Sequence, residues 1–325
     1  VFGLGNWASP IEEASINIPG ANNGRKIQVQ GNYAYLVRLG GSPNFQVINV
    51  TDPANPVADG FLTLPGIPTN IAVSGNFVYV SSTNDSQELQ IIDISDASVP
   101  FVAGTYNAPG LADANGVYVN GTIVYLVRVA SAANEFQIVN AATPSLPVPV
   151  GSVNLGPTGN EVIVSGNFAY VASSADGQEL QVINITTPSL PTFAGFLNLP
   201  GTANAITIAL TGATVLLGQA NALYTIDVST PATPFMLGST DTFGILNDIA
   251  LNLANFDTYV YVATSADIDE FQVINISDVS FPVFFGSVDV ATSNNMLGVA
   301  YDDTLNRAFG ASASDSQEFL VFAPQ

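Results

Sequence analysis

A five-residue apolar motif recurs along the chain at a nearly constant interval. Phe45-Gln46-Val47-Ile48-Asn49 returns as Leu89-Gln90-Ile91-Ile92-Asp93, Phe136-Gln137-Ile138-Val139-Asn140, Leu180-Gln181-Val182-Ile183-Asn184, Leu223-Tyr224-Thr225-Ile226-Asp227, Phe271-Gln272-Val273-Ile274-Asn275 and, degenerately, Phe319-Leu320-Val321-Phe322. The interval is about 46 residues, so 325 residues hold seven units, in the period range of four-stranded propeller blades. This repeat constrains the fold more than any other feature of the chain.

Each unit reads as four short strands, a to d. In the second, strand a covers Ile71-Ala72-Val73 and Gly75-Asn76 is a tight turn. Strand b is Phe77-Val78-Tyr79-Val80, strand c runs from Leu89 to Ile94, and strand d from Phe101 to Tyr106 before Pro109-Gly110. Strands b and c are apolar on both faces, as required of sheets covered on both sides by neighbouring blades. A strand-b aromatic at Tyr35, Tyr79, Tyr125, Tyr170 and Tyr261, with Leu216 and Phe309 in its place elsewhere, reads as blade-to-blade packing.

The ends complete the pattern. The segment Pro10 to Gly20 matches Pro56 to Gly66, so the chain starts on the outermost strand of a blade, while the stretch from Met296 to Phe322 supplies strands a, b and c without d. The expectation is an all-β, seven-bladed β-propeller of four-stranded antiparallel blades, its ring closed by pairing of the N-terminal strand with the C-terminal blade. As one propeller over 1–325, it divides into an outer strand of the composite blade at 1–20, blades at 21–66, 67–110, 111–156, 157–201, 202–244 and 245–290, and the composite blade's inner strands at 291–325. Outer edges carrying Pro56, Asp59, Glu12 and Glu13 are expected to discourage edge-to-edge pairing.

Composition bears mainly on function. The chain has no Cys and no His, which removes thiol and imidazole catalysis and thiolate or imidazole metal ligation. Only five Lys+Arg stand against 26 Asp+Glu, a net charge of -21, which opposes contact with nucleic acid and with anionic lipid. Apolar runs of about 4–8 residues fall short of the roughly 20 of a membrane-spanning helix, so membrane insertion is not expected. Residue 1 is Val with no signal-like segment after it, which reads as a mature product or an excised piece.

With forms such as Gly75-Asn76-Phe77-Val78-Tyr79-Val80, Leu89 to Asp96 (LQIIDISD) and Leu180 to Pro191 (LQVINITTPSLP), the chain resembles LVIVD-repeat proteins, a bacterial and archaeal β-propeller family, over essentially its whole length. The resemblance implies an exported or cell-surface protein, often one module of a larger chain, with a role in interaction and no catalytic motif. The chain departs from the pattern in placing Asn at the strand-c Asp position in four units, at Asn49, Asn140, Asn184 and Asn275.

Several residue sets are candidates for chemistry. The b–c loops carry Asp85 and Glu88, Asp176 and Glu179, Asp267, Asp269 and Glu270, and Asp315 and Glu318, with Glu135 alone in the third unit. Such oxygens suit Ca²⁺ and also read, more simply, as turn formers with a solvated Glu flanking the strand. A second row, Asn70, Asn115, Asn160, Asn204, Asn247 and Asn295, with Asn23 nearby in the first unit, precedes strand a; it reads as an amide ring at the channel mouth for a polar or sugar ligand, or as turn closure. Arg38 and Arg128 share one strand-b position, either as an anion-contacting sector or as local ion pairs with Glu88 or Glu135. Trp7, the only Trp, is placed either to stack on a sugar or partner or to pack in the closing blade. Glycosylation triplets begin at Asn49, Asn84, Asn120, Asn184 and Asn275.

The expectation for function is a non-enzymatic, exported or cell-surface binding or scaffold module that presents loops on one propeller face to a protein or surface glycan, requiring no cofactor. A carboxylate-dependent glycosidase or lyase at the channel mouth and a calcium-stabilised structural propeller are the alternatives.

Overall fold

The computed structural model describes residues 6–20, 22–252, 259–290 and 295–325. The segment ends expected at 1–5, 21 and 291–294 lie outside them. The chain is an all-β seven-bladed propeller, with no helix among the described residues. Six four-stranded antiparallel blades occupy 24–62, 68–106, 114–153, 159–197, 205–241 and 245–288, each with strands in the order a-b-c-d. We number them 1 to 6. In the seventh, the closing blade, Ile11–Ile16 is the fourth strand beside Phe319–Ala323, Arg307–Ser312 and Met296–Asp302. The expected closure is therefore present, in the register Ile11↔Ala323, Ser15↔Leu320 and Ile16↔Phe319.

The chain divides into two compact units. One comprises residues up to Thr63, Gly218–Thr225 and Leu237 onward; the other comprises Leu64–Leu217 and Ile226–Met236. The first holds blade 1, blade 6 and the closing blade, the second holds blades 2 to 4, and the strands of blade 5 are divided between them.

Local chemistry accounts for the blades. Strands a and b join through two-residue turns such as Gly75-Asn76, where Gly75 has φ +59°, the left-handed first position that a type II′ hairpin turn needs. Strands b and c are buried along almost their whole length, as expected for sheets covered on both faces. Packing runs between adjacent sheets within each unit: Tyr79, Leu89 and Ile91 of blade 2 with Val117, Val124 and Leu126 of blade 3, and Phe319 and Val321 of the closing blade with Ile27, Leu36 and Ile48 of blade 1. The strand-b Tyr row is buried as predicted.

Two details differ from the expectation. Strand a of blade 2 begins at Pro68 rather than Ile71, because the polar Pro68-Thr69-Asn70 stretch pairs with Ser82 and Ser81 through a bulge that hydrophobic patterning does not reveal. Strand d is also not guarded chiefly by charge. Glu13 pairs inward with Arg307, and Val57, Phe61, Phe101, Val148, Phe193, Phe196, Phe235, Val283 and Phe284 lie exposed on these edges. Bulges, at Ile91/Ile92, Ile138/Val139 and Val273/Ile274 in register, and the Pro before each strand d do the blunting.

Candidate functional site

The b–c loop and the d-to-a connection of each blade lie at the same end of its sheet, because strands b and d both finish where a and c begin. The acidic loop residues and the Asn row singled out above belong to this end.

The acidic loops split into two kinds of carboxylate. Asp85, Asp176, Asp267 and Asp315 are exposed, whereas Glu88, Glu135, Glu179, Glu270 and Glu318 are fully buried. A solvated Glu flank is thus overturned. Each Glu turns inward and one of its oxygens accepts a backbone N–H on the connection that leaves its own blade: Glu88 from Ala108 at 2.9 Å, Glu135 from Leu155 at 2.8 Å, Glu179 from Leu199 at 2.9 Å, Glu270 from Val290 at 2.8 Å and Glu318 from Ile18 at 2.9 Å. The physical reason is that the d-to-a connection is not in a ladder, so its N–H groups need acceptors, and a carboxylate makes a strong one. Asp269 has φ +65° and its Oδ1 accepts the Ser287 hydroxyl at 2.6 Å. Among the described residues no three acidic side chains converge closely enough to hold a metal ion.

The Asn row is not one ring. Asn115, Asn160 and Asn247 share a position, and each amide donates to the first strand-a carbonyl of the next blade, on Gly159 at 3.1 Å, Ala205 at 2.5 Å and Met296 at 2.8 Å. Thr69 does the same in blade 2, reaching the Ala114 carbonyl at 2.6 Å. Asn70 is one residue further along and donates to Glu161 Oε1 at 2.8 Å, while Asn204 and Asn295 precede their strands and are exposed. The same one-residue bulge opens strand a in each of these blades, but its bulged residue is Thr69 in blade 2 and Asn115, Asn160 and Asn247 elsewhere, so residues that align by eye occupy different structural positions. Oriented as its neighbours require, the Asn23 amide donates to Asp315 Oδ1 and the Ala313 carbonyl.

Arg38 and Arg128 are fully buried, which removes the anion-contacting sector. Arg38 donates to the carbonyls of Pro19 at 3.1 Å, Gly20 at 2.6 Å, Asn22 at 3.0 Å and Pro43 at 3.0 Å, and its ion pair is with Glu318 at 3.2 Å rather than with Glu88 or Glu135. Arg128 donates to Pro109 at 2.9 Å and Ala112 at 3.0 Å. Burial pushes both guanidinium pKa values down, and Glu318 and Glu88 respectively oppose that shift.

Trp7 is buried against Tyr261, with centroids 4.6 Å apart, and near Phe271 and Tyr301, so it is unavailable for stacking on a ligand. In the glycosylation triplets, Asn49, Asn184 and Asn275 are half-buried and their Oδ1 atoms accept N–H two residues on, at 2.9, 2.9 and 2.8 Å, closing the c–d turn. Asp93 and Asp227 close the same turn, so Asn replaces Asp without loss because only an acceptor is used. Asn84 Oδ1 accepts the Ser86 N–H, and Asn120 is exposed beside the a–b turn.

With that geometry in place, residues 22–61, 65–108, 158–198, 204–242 and 249–290 match the LVIVD repeat family model, well over half the chain. The chain belongs to the LVIVD-repeat family. Blade 3 lies outside those matches and folds as the others do. No curated protein matches the sequence. Among solved structures, the LVIVD-repeat chain is similar to the WD40 repeats of RRP9, with a TM-score of 0.73 and 10% identity over 98% of each chain. A functionally unknown protein from Desulfotomaculum acetoxidans gives a TM-score of 0.67 at 14% identity, over 82% of this chain and 85% of that one. A protein from Lactobacillus plantarum gives 0.69 at 13% identity over the same shares. At such identities the likeness is one of fold.

Sequence reasoning missed two strand-a carboxylates of this LVIVD-repeat protein. Glu161 bonds Asn70 and accepts the Ile208 N–H at 3.0 Å; Asp248 bonds Lys26 at 2.5 Å and accepts the Val299 N–H at 3.0 Å. Between each carboxylate and its side-chain partner stands a blade with Gly at that position. A Cβ on Gly116 would come within 2.9 Å of Glu161 Cα, and one on Gly298 within 2.9 Å of Lys26 Cα. The available signal was a lone charge in an otherwise apolar strand, seen only when units are compared position by position.

The Arg38 clamp yields a direct test. Arg38→Met keeps the length but leaves Glu318 Oε1 and several loop carbonyls buried without a donor, so a loss of about 3–5 kcal/mol in urea unfolding is expected. A loss under about 1 kcal/mol shows that water or neighbouring groups satisfy those oxygens without the guanidinium.

Proposed function

We propose that this LVIVD-repeat propeller is a non-catalytic binding module whose loop-bearing sheet ends contact a protein partner with a cationic surface. One observation carries the reading. Lys26, Arg38, Arg128 and Arg307 are bonded to groups within the fold, while each unit holds carboxylates exposed at this end: Asp85 and Asp176 in one, Asp267, Asp289 and Asp315 in the other. These exposed carboxylates, part of a net charge of -21, therefore face outward with few cations to offset them. The absence of His and Cys favours binding over catalysis, propellers commonly mediate protein interactions, and the family resemblance favours an exported or cell-surface setting.

Polylysine of defined length and neutral dextran, titrated against the immobilised full chain, test this. Polylysine should bind and weaken steeply with salt, and Asp85→Asn, Asp176→Asn, Asp267→Asn and Asp315→Asn combined should weaken it about tenfold or more. Dextran binding that ignores salt and the four substitutions would overturn the cationic-partner reading. Turnover of a glycan, lost on changing a carboxylate, would overturn the non-catalytic one.

A further inference from the structure

The five buried glutamates occupy one repeat position, yet their carboxylates are not equally served. Glu135 Oε1 accepts the Ser131 N–H at 3.1 Å, Glu179 Oε1 accepts the Gly177 N–H at 2.9 Å, and Glu318 Oε1 accepts from Arg38 at 3.2 Å. With Oε2 on the connecting loop, all three have both oxygens bonded. Glu88 and Glu270 differ. Their Oε2 atoms hold Ala108 and Val290, but each Oε1 is buried with no hydrogen-bond partner among the described residues. A charged oxygen removed from water without a donor is costly, and protonation relieves most of that cost.

The surroundings point the same way. Glu270 is faced by Asp269 beside it and by Asp289 at the end of strand d, both negative. Glu88 is faced by Asp85 from its own loop, by Tyr106 on strand d and by Arg128 from blade 3, which in turn feels Asp113 and Glu135. The guanidinium of Arg128 is hydrogen-bonded to the Pro109 and Ala112 carbonyls rather than to Glu88.

We propose that Glu88 and Glu270 are proton-binding sites that make the hold on the d-to-a connections of blades 2 and 6 pH-dependent. Burial raises both carboxyl pKa values first of all; backbone hydrogen bonds, led by those from Ala108 and Val290, partly offset this, Arg128 adds to the offset at Glu88, and Asp289 and Asp269 reinforce the rise at Glu270. A carboxyl that binds its proton more tightly when folded stabilises the fold fully below the ordinary carboxylate range. That contribution is lost as pH rises through the raised value. The proposal does not depend on the partner of the acidic loops.

Two measurements test it on the full chain. Glu88→Gln with Glu270→Gln keeps a carbonyl for Ala108 and Val290 and places a neutral NH2 at each orphan oxygen. The double variant should match or exceed the wild type in thermal midpoint at mildly alkaline pH and show a shallower fall with rising pH. Glu179→Gln, which exchanges one of two bonded acceptors for a donor, should instead lower the midpoint. Carboxyl-carbon NMR of Glu-labelled protein should show two resonances titrating above the ordinary range, both absent from the double variant. Parallel pH profiles, or no such resonances, overturn the proposal. A Ca²⁺-dependent rise in midpoint that is present in the wild type and lost in the double variant also overturns it, by making the orphan oxygens cation ligands.

Discussion

A chain lacking residues 1–20 is expected to lose the cooperative unfolding transition of the intact protein. The deletion removes strand Ile11–Ile16 from the closing blade and bares the edge of Phe319–Ala323, whose Phe319, Leu320, Val321 and Phe322 are fully buried. It removes Ile18, whose N–H caps Glu318, and the Pro19 and Gly20 carbonyls that Arg38 holds. The Glu13–Arg307 pair and the Gln317–Ser15 bond go as well. Several independent contacts thus fail together, which is why the effect exceeds that of a single substitution. Trp7→Ala isolates one of them. Trp7 covers Tyr261, Phe271 and Tyr301, so the cost should be about 3–5 kcal/mol by urea unfolding followed by circular dichroism. As the only Trp, it also reports the order of the closing blade through its emission in the parent chain. An unchanged midpoint in both variants would show that the N-terminal segment is dispensable.

Gly151→Ala should be among the most damaging one-carbon changes in the chain's outer strands. A Cβ there would lie 2.2 Å from the Pro188 carbonyl oxygen and 3.0 Å from Pro191, because the c–d turn of blade 4 seats directly on strand d of blade 3. The same seating recurs at Gly104 beneath Pro144, Gly195 beneath Ala232, Gly238 beneath Ser280 and Gly286 beneath Trp7 and Ala8. The obstructing atoms are backbone in a proline-bounded turn and cannot move aside cheaply. The loss should therefore reach or pass the upper end of the roughly 1–3 kcal/mol usual for overpacking. Gly75→Ala is the contrast: φ is +59° and no atom lies within 4 Å, so only the left-handed strain of about 1–2 kcal/mol applies. Urea midpoints for the pair decide the matter, and equal losses would refute the seating argument.

Much of the architecture was legible in the residues because it is local and repeated. Leu89-Gln90-Ile91-Ile92-Asp93 and its copies mark strand c, Gly75-Asn76 marks a hairpin, and the match of Pro10–Gly20 with Pro56–Gly66 predicts closure. The site was less legible. Glu88 follows Asp85-Ser86-Gln87, a polar turn that reads as solvated, and its partner at Ala108 is reached only after strands c and d have folded back. The Asn row looked like one ring because which residue sits at the strand-a bulge, Thr69 in blade 2 and Asn115 in blade 3, leaves no mark in composition or periodicity.

By itself, then, the sequence determined a seven-unit all-β repeat, its turns and its closing strand, since strand periodicity and turn chemistry act between residues a few positions apart. Only the tertiary structure decided that the glutamates are internal caps, that Arg38 and Arg128 are buried clamps and that Glu88 and Glu270 each leave one oxygen unserved. Those outcomes depend on which backbone groups a sheet leaves unpaired once its neighbour is packed against it. That depends on three-dimensional register rather than on order along the chain.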